Sequence, residues 1–377
     1  MSLERGDAPP APPRSIDIAR PSLGEAERRA VEAVLASGEL VKGQRTEAFE
    51  AAFAAAHGAR HGVATNSGAT ALLAALLAHG IGPGDEVIVP SFSFFATAAC
   101  VLGAGALPVF ADIEPDTFCL SRASVEAALT PRTKAVMPVH LFGQPAAMTG
   151  FEELCARRGL TLLEDAAQAH GAAIGARPVG SFGTAAFSFF ATKNMTTLEG
   201  GMVLTNDASV ARRLRMQRNH GRDGGALHEI AASNFRMNEL AAAIGLVQLG
   251  RLPELNARRR ANAEYLGHGL AGVVVPRQAP GTTHVFHQYT VRVPPGVDRD
   301  GFVAALNLQG IGARAYYPVP IHRQPALVNG GHALRVELPE TERASREVVS
   351  LPVHPALEAA DLERVRDAVN RLAARAG

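Results

Sequence analysis

The sequence predicts an α/β protein: a mostly parallel sheet in a large domain, followed by a smaller α+β C-terminal domain. Three observations carry that prediction. Short apolar runs alternate with helical patterns from Gly62 to Glu164, the rhythm of a sheet with helical crossovers. Within those runs neighbouring positions are both apolar, as in strands covered on both faces. Beyond about residue 270 the rhythm loosens into scattered strands, Val273–Val275 and Tyr289–Val293, and helices at Asp300–Asn307 and Ala359–Ala373.

Residues 1–22 contain Pro9, Pro10, Pro12, Pro13 and Pro21 and predict an extended arm, because proline fixes φ and lacks an N–H. A helix opens at Leu23-Gly24-Glu25 and ends at Ser37-Gly38. A second runs from Glu47 to Ala56, with Phe49 and Phe53 four apart on one face. Strands are expected at Gly62–Thr65, Glu86–Pro90, Leu107–Ile113, Lys134–Leu141 and Leu160–Glu164. The helices between them fall at Ala71–His79, Ala96–Leu102, Arg122–Leu129 with Ser121 as N-cap, and Met148–Arg158. Thr184–Phe190 and Met202–Leu204 are further apolar runs. Met237 to about Leu270 reads as a long helical stretch with a break at Leu252-Pro253. The predicted division is an arm (1–22), a large domain (23–250) and a small domain (251–377).

Bulk composition narrows the function. The chain has 377 residues, 47% hydrophobic, which suffices for a substantial core. A net charge of +1 argues against nucleic acid or an anionic membrane as the main partner. No apolar run approaches a membrane span. Acidic Glu4 and Asp7, with no apolar segment behind them, do not read as a secretory signal. Cys100, Cys119 and Cys155 are widely spaced in apolar segments. They predict buried free thiols in a reducing, cytoplasmic compartment, with no metal spacing.

The chemistry centres on Lys193. The run Thr184–Phe190 delivers this lysine into a polar loop ahead of Gly200-Gly201. Desolvation there lowers an amine's pKa so that it can attack a carbonyl; a solvated loop lysine is the ordinary alternative. Upstream, Leu160–Leu163 ends in Glu164-Asp165-Ala166-Ala167-Gln168, which puts an acid at a strand's carboxyl end. A lysine that carries an aldehyde and an acid that protonates a pyridine nitrogen are the two groups pyridoxal phosphate requires. Asn66-Ser67-Gly68-Ala69-Thr70, between strand and helix, suits a phosphate but equally an ordinary N-cap. One ring of Phe92, Phe94 and Phe95 could stack on a planar ligand; core packing is the alternative. Gln168 could donate to a phenolate and Ser188 contact the phosphate; a backbone-bonded hydroxyl is the plainer role for Ser188. His170 reads equally as a core histidine. Arg222 could hold an anion or close a helix, and Asn234–Glu239 could be only a helix cap.

Together these stretches resemble the DegT/DnrJ/StrS family of pyridoxal-phosphate sugar aminotransferases. They are Ser67–Leu72, Pro90–Thr97, Glu164–Gly171, Phe187–Gly201, Asn234–Glu239, Tyr317–His322 and Leu351–Pro355, in the family's order from about Gly43 to the end. The resemblance implies the type I, aspartate-aminotransferase-like fold, a homodimer with shared active sites, and transfer of an amino group from an amino acid such as L-glutamate to a keto-sugar, nucleotide-linked in many members. It makes Lys193 the Schiff-base lysine and proton shuttle, Asp165 the partner of the pyridine nitrogen and Gln168 that of the phenolate. Phe94 would stack on the ring. Gly68, Ala69 and Ser188 would hold the phosphate, and Asn234 would reach the neighbouring subunit's cofactor. Tyr317 and His322 fall where the family approaches the sugar. Ala69 stands where many members have threonine, with Thr70 one later, so the hydroxyl contact is in question. A branch with histidine in place of the lysine carries out dehydration; Lys193 argues against it. Related alternatives are a cyclitol or aminobenzoate-type substrate, or a non-catalytic regulatory role.

Overall fold

The computed structural model of the chain describes residues 14–330 and 336–376. Its strands are β1 (His61–Thr65), β2 (Glu86–Pro90), β3 (Leu107–Ala111), β4 (Thr133–Val136), β5 (Thr161–Asp165), β6 (Ala173–Ile174), β7 (Arg177–Pro178), β8 (Thr184–Ser188), β9 (Gly201–Thr205), β10 (Thr282–Thr283), β11 (Tyr289–Arg292) and β12 (Val348–Leu351). Two helices, α1 (Glu25–Ser37) and α2 (Gln44–Ala56), precede β1. Next come α3 (Gly68–Ala78), α4 (Ala96–Gly103), α5 (Arg122–Ala128) and α6 (Met148–Arg158), then α7 (Ala208–Gln217) and α8 (Glu239–Gly269). The C-terminal part adds α9 (Arg299–Leu308), α10 (Pro325–Val328), α11 (Pro339–Glu347) and α12 (Ala359–Ala376).

Seven strands form one sheet in the order β1-β9-β8-β5-β4-β2-β3. Only β9 runs antiparallel, against both β8 and β1; the remaining pairings are parallel. The sheet is covered on both faces because alternate residues of its strands are both apolar. Val63, Val87, Val89, Ala135, Ala186 and Val203 pack under α3, α4 and α7. Their neighbours Ala64, Ile88, Val136, Ala185, Met202 and Leu204 face the opposite layer, built from α2, α5, α6 and α8. Phe49 and Phe53 share one face of α2, as their spacing predicts. The Phe53 ring lies edge-on to Phe187 and Phe189, at 5.0 and 5.1 Å. This aromatic cluster seats the strand that leads to Lys193.

The C-terminal part has its own core. Strands β11 and β12 pair antiparallel, and α9 and α12 pack on them through Phe302, Leu306, Val365 and Val369. Ile16 belongs to this core and forms a β-bridge with Ile311, so the visible end of the arm is docked on it. The first thirteen residues of the arm lie outside the described residues. Residue 250 falls in the middle of α8, which runs from one core to the other.

Three sequence expectations need correction. Pro253 does not break α8, although it cannot donate to the carbonyl one turn back. Gln248 and Arg251, just ahead of it, both donate to Glu27 of α1, at 2.7 and 2.6 Å, and tie the helix to α1 there. The strand expected at Lys134–Leu141 stops at Val136; Pro138 has no N–H for the ladder, and Leu141–Gly143 form a 3₁₀ turn with Phe142 at φ 57°. Of Val273–Val275 only Val274 pairs, with Arg292. Ser121 is the N-cap of α5, as expected, although its side chain makes no capping bond. The three cysteines are buried and free, as expected. No helix of the described residues is long and apolar enough to cross a membrane.

Candidate active site

Strands β1, β2, β5 and β8 run in the same direction, so their carboxyl ends meet along one edge of the sheet. Open α/β sheets hold their ligands at such an edge. Each strand contributes one part of the site.

β1 leads into α3. Ser67 is the N-cap, accepting from the Thr70 N–H at 3.1 Å, while Thr70 Oγ1 donates to Asn66 Oδ1 at 2.7 Å. Thr70 is therefore engaged in its own helix cap. The N–H groups of Gly68 and Ala69 open the helix, where no intrahelical acceptor exists for them. Gly68 is required by close approach: a Cβ there would lie 2.5 Å from Ser188 Cβ. Ser188, the last residue of β8, thus sits directly against the α3 N-terminus. Two N–H groups, a hydroxyl and the positive end of a helix make an anion cradle.

β5 ends in Asp165, which is 4% exposed. Its Oδ2 accepts from Thr97 Oγ1 at 2.9 Å and its Oδ1 from the Ala167 N–H at 3.2 Å. Burial pushes its carboxyl up; the Thr97 and Ala167 bonds and the nearby Lys193 charge pull the other way. Gln168 is oriented by the backbone. Phe142 N–H donates to its Oε1 at 2.6 Å, which leaves Nε2 to donate toward the site, where it meets Tyr317 Oη at 3.1 Å.

Past β8 the chain turns tightly, with Lys193 N–H donating to Phe190 O at 2.9 Å. Burial lowers the half-buried Lys193 amine to about 8, and Asp165 opposes that shift. The amine is thus easier to deprotonate than a solvated lysine. The next residue anchors the loop: Asn194 Nδ2 donates to Asn256 Oδ1 at 2.8 Å and to Val285 O at 2.9 Å.

After β2, Phe92 is fully buried while Phe94 is 61% exposed. One ring of the three therefore faces outward at the site, 6.3 Å from the Tyr317 ring. His322 lies beside the same loop, but both ring nitrogens are occupied: Nδ1 faces Ser91 Oγ at 2.6 Å and Nε2 faces Glu342 Oε1 at 3.1 Å. Asn234 is exposed, and the adjacent Phe235 carbonyl accepts from Asn66 N–H at 2.8 Å, next to the anion cradle. His170 is buried in the aromatic cluster, 5.6 Å from Phe189, and Arg222 is turned to His228 on the surface.

Sequence reasoning missed Thr97, Asn194 and Phe142. Thr97 stood inside a quoted motif, yet nothing in its spacing shows that its hydroxyl meets an acid 68 residues away. Asn194 adjoins Lys193, and that adjacency was the available signal. Phe142 acts through its backbone and leaves no trace in side-chain pattern.

Comparison with known proteins agrees with this geometry. The sequence pattern of the DegT/DnrJ/EryC1/StrS aminotransferase family matches residues 21–370. The chain is 42% identical over 376 residues to the dTDP-3-amino-3,4,6-trideoxy-α-D-glucose transaminase of Streptomyces venezuelae, covering 98% of each. It is 41% identical over 342 residues to the UDP-N-acetyl-3-dehydro-α-D-glucosamine 3-aminotransferase of Acidithiobacillus ferrooxidans, covering 90% of this chain and 91% of that one. The crystal structure of DesV from S. venezuelae superposes with a TM-score of 0.88 at 43% identity, over 92% of this chain and 94% of that chain. The chain belongs to the DegT/DnrJ/EryC1/StrS aminotransferase family and is an aminotransferase of the aspartate-aminotransferase type of α/β fold.

Proposed function

We propose that the protein is a pyridoxal-phosphate-dependent aminotransferase that moves an amino group from L-glutamate to a nucleotide-linked keto-sugar. One observation carries the reading: a half-buried lysine amine of lowered pKa and a buried carboxylate converge at the sheet edge beside an open helix N-terminus. That donor set fits the cofactor. The Gly68 and Ala69 N–H groups and Ser188 suit a phosphate, Asp165 a pyridine nitrogen, Gln168 Nε2 a phenolate oxygen, and Phe94 a ring face.

When bound, pyridoxal phosphate supplies an aldehyde that condenses with amines and a ring that accepts the electron pair left on carbon. Lys193 Nζ would be the group that holds the cofactor through this aldehyde. The free Lys193 amine would then serve as the proton carrier at the donor's α-carbon, and in reverse for the acceptor. Asp165 would face the ring nitrogen and favour its protonated form. Tyr317 lies on the sugar side, and His322 supports it indirectly by holding the Ser91 loop. The names of the Streptomyces and Acidithiobacillus relatives support a dTDP- or UDP-linked acceptor. A homodimer with shared sites in the cytoplasm belongs to this reading, with the exposed Asn234 as the residue offered to the neighbouring subunit's cofactor; light scattering of the purified protein tests the dimer.

The functional test is an absorption spectrum of the protein with pyridoxal phosphate, before and after L-glutamate. A visible band that bleaches with release of 2-oxoglutarate is expected, and Lys193→Ala should abolish turnover. An unresponsive band, or turnover by Lys193→Ala, would overturn the donor or lysine assignment respectively. dTDP- and UDP-linked 3-keto-sugars then identify the acceptor by restoring the band.

A further inference from the structure

The side chain that holds Asp165 through a hydrogen bond is a hydroxyl. The His140 ring is occupied on both sides: Nδ1 accepts from Ala146 N–H at 3.0 Å, and Nε2 faces Glu164 Oε2 at 3.2 Å. Among the described residues the sole side chain that donates to Asp165 is Thr97. Thr97 Oγ1 lies 2.9 Å from Ser93 Oγ, and both hydroxyls are buried, at 1% and 4% exposure.

The direction of this chain follows from proton count. An ionised carboxylate only accepts, so the single Thr97 hydroxyl proton goes to Asp165 Oδ2. The proton between Ser93 and Thr97 must then come from Ser93. The relay reads Ser93 O–H to Thr97 Oγ1, and Thr97 O–H to Asp165. Ser93 and Thr97 are four residues apart, and the segment they close carries the outward-facing Phe94.

We infer that Ser93 and Thr97 form a directed hydroxyl clamp that orients Asp165 and, through the loop it closes, keeps Phe94 in register with that carboxylate. Thr97 and Ser93 are positioning residues, since both act through Asp165 and Phe94. The inference rests on the reading of Asp165 as the partner of the cofactor's ring nitrogen. Its chemistry is specific. A hydroxyl that donates to the carboxylate makes it a weaker proton acceptor, and so leaves the shared proton on the ring nitrogen. Loss of that hydroxyl shifts the proton toward Asp165.

The test uses the full-length protein loaded with pyridoxal phosphate labelled with ¹⁵N in the ring, read by NMR, together with the rate of the L-glutamate half-reaction. Thr97→Val removes the hydroxyl at nearly constant shape. It should move the ring-nitrogen resonance toward its unprotonated position and slow the half-reaction about tenfold, the effect of one hydrogen bond to a charged group. Thr97→Ser should restore both. Ser93→Ala should move both in the same direction by less. A Thr97→Val resonance identical to wild type, while Asp165→Asn shifts it, would overturn the clamp and leave the Asp165 reading intact. A resonance that Asp165→Asn also leaves unchanged would overturn the underlying reading itself. Should Thr97→Val fail to fold, failure of the folded Ser93→Ala to shift the resonance would overturn the clamp.

Discussion

Replacing Lys193 by methionine should stabilise the cofactor-free protein near neutral pH and cease to do so in alkali. Burial lowers the folded-state amine from 10.5 to about 8. Between those values the unfolded chain binds more protons than the folded one, so stability rises as the pH climbs through that window. Below about pH 8 the folded protein carries a charged ammonium that water would solvate better. At about 1.4 kcal/mol per pH unit, the interval from about 8 to 10.5 amounts to roughly 3 kcal/mol. Lys193 is only half-buried, and its loss also removes the counter-charge near Asp165. A net gain of about 1–2 kcal/mol at pH 7 is therefore the expectation. Methionine keeps the chain length and removes the charge. The assay is urea unfolding of cofactor-free wild type and Lys193→Met, at pH values on both sides of the window. The variant's advantage should shrink steadily as the pH rises toward about 10.5. A difference that stays constant across the range would refute the account of Lys193 as a desolvated amine.

Two further outcomes are expected. Glu239, fully buried at the start of α8, accepts from the N–H groups of Gly43, Arg45 and Thr46 and from Thr46 Oγ1. It thereby caps α2, and those bonds hold its carboxyl below the ordinary value of 4.5. Glu239→Gln should lower stability by about 2 kcal/mol. The deficit should be full above about pH 4.5 and narrow in more acid solution as wild-type Glu239 takes up its proton. Equal melting temperatures at neutral pH would contradict this. Gly68→Ala would bring a Cβ against Ser188. It should raise the dissociation constant for pyridoxal phosphate about tenfold or more, measured by absorbance titration, as the cradle is forced open. Unchanged affinity would remove Gly68 and Ser188 from the phosphate site.

The alternation of strands and helices through residue 165 was legible because each doubly buried strand is a short apolar run, and such runs are local. Phe49 and Phe53 declared their face through spacing alone. The helix break at Pro253 was misjudged for a different reason. Proline's local cost is real, but Gln248 and Arg251 reach α1 just ahead of it, and that contact spans more than 220 residues of sequence.

The amino-acid order by itself determined the chemical types in the site: one lysine and one acid at strand ends, a small-residue turn before a helix, and aromatic side chains on a loop. What only the tertiary structure decided is which of these groups are free to act. His322 has both nitrogens engaged, Thr70 is used in its own cap, and Phe94 alone of three neighbouring rings turns outward. Thr97 gained its place by meeting Asp165 across the fold. The reason is physical. A side chain's type is local, whereas its desolvation and its remaining hydrogen-bonding capacity depend on neighbours that folding brings from distant parts of the chain.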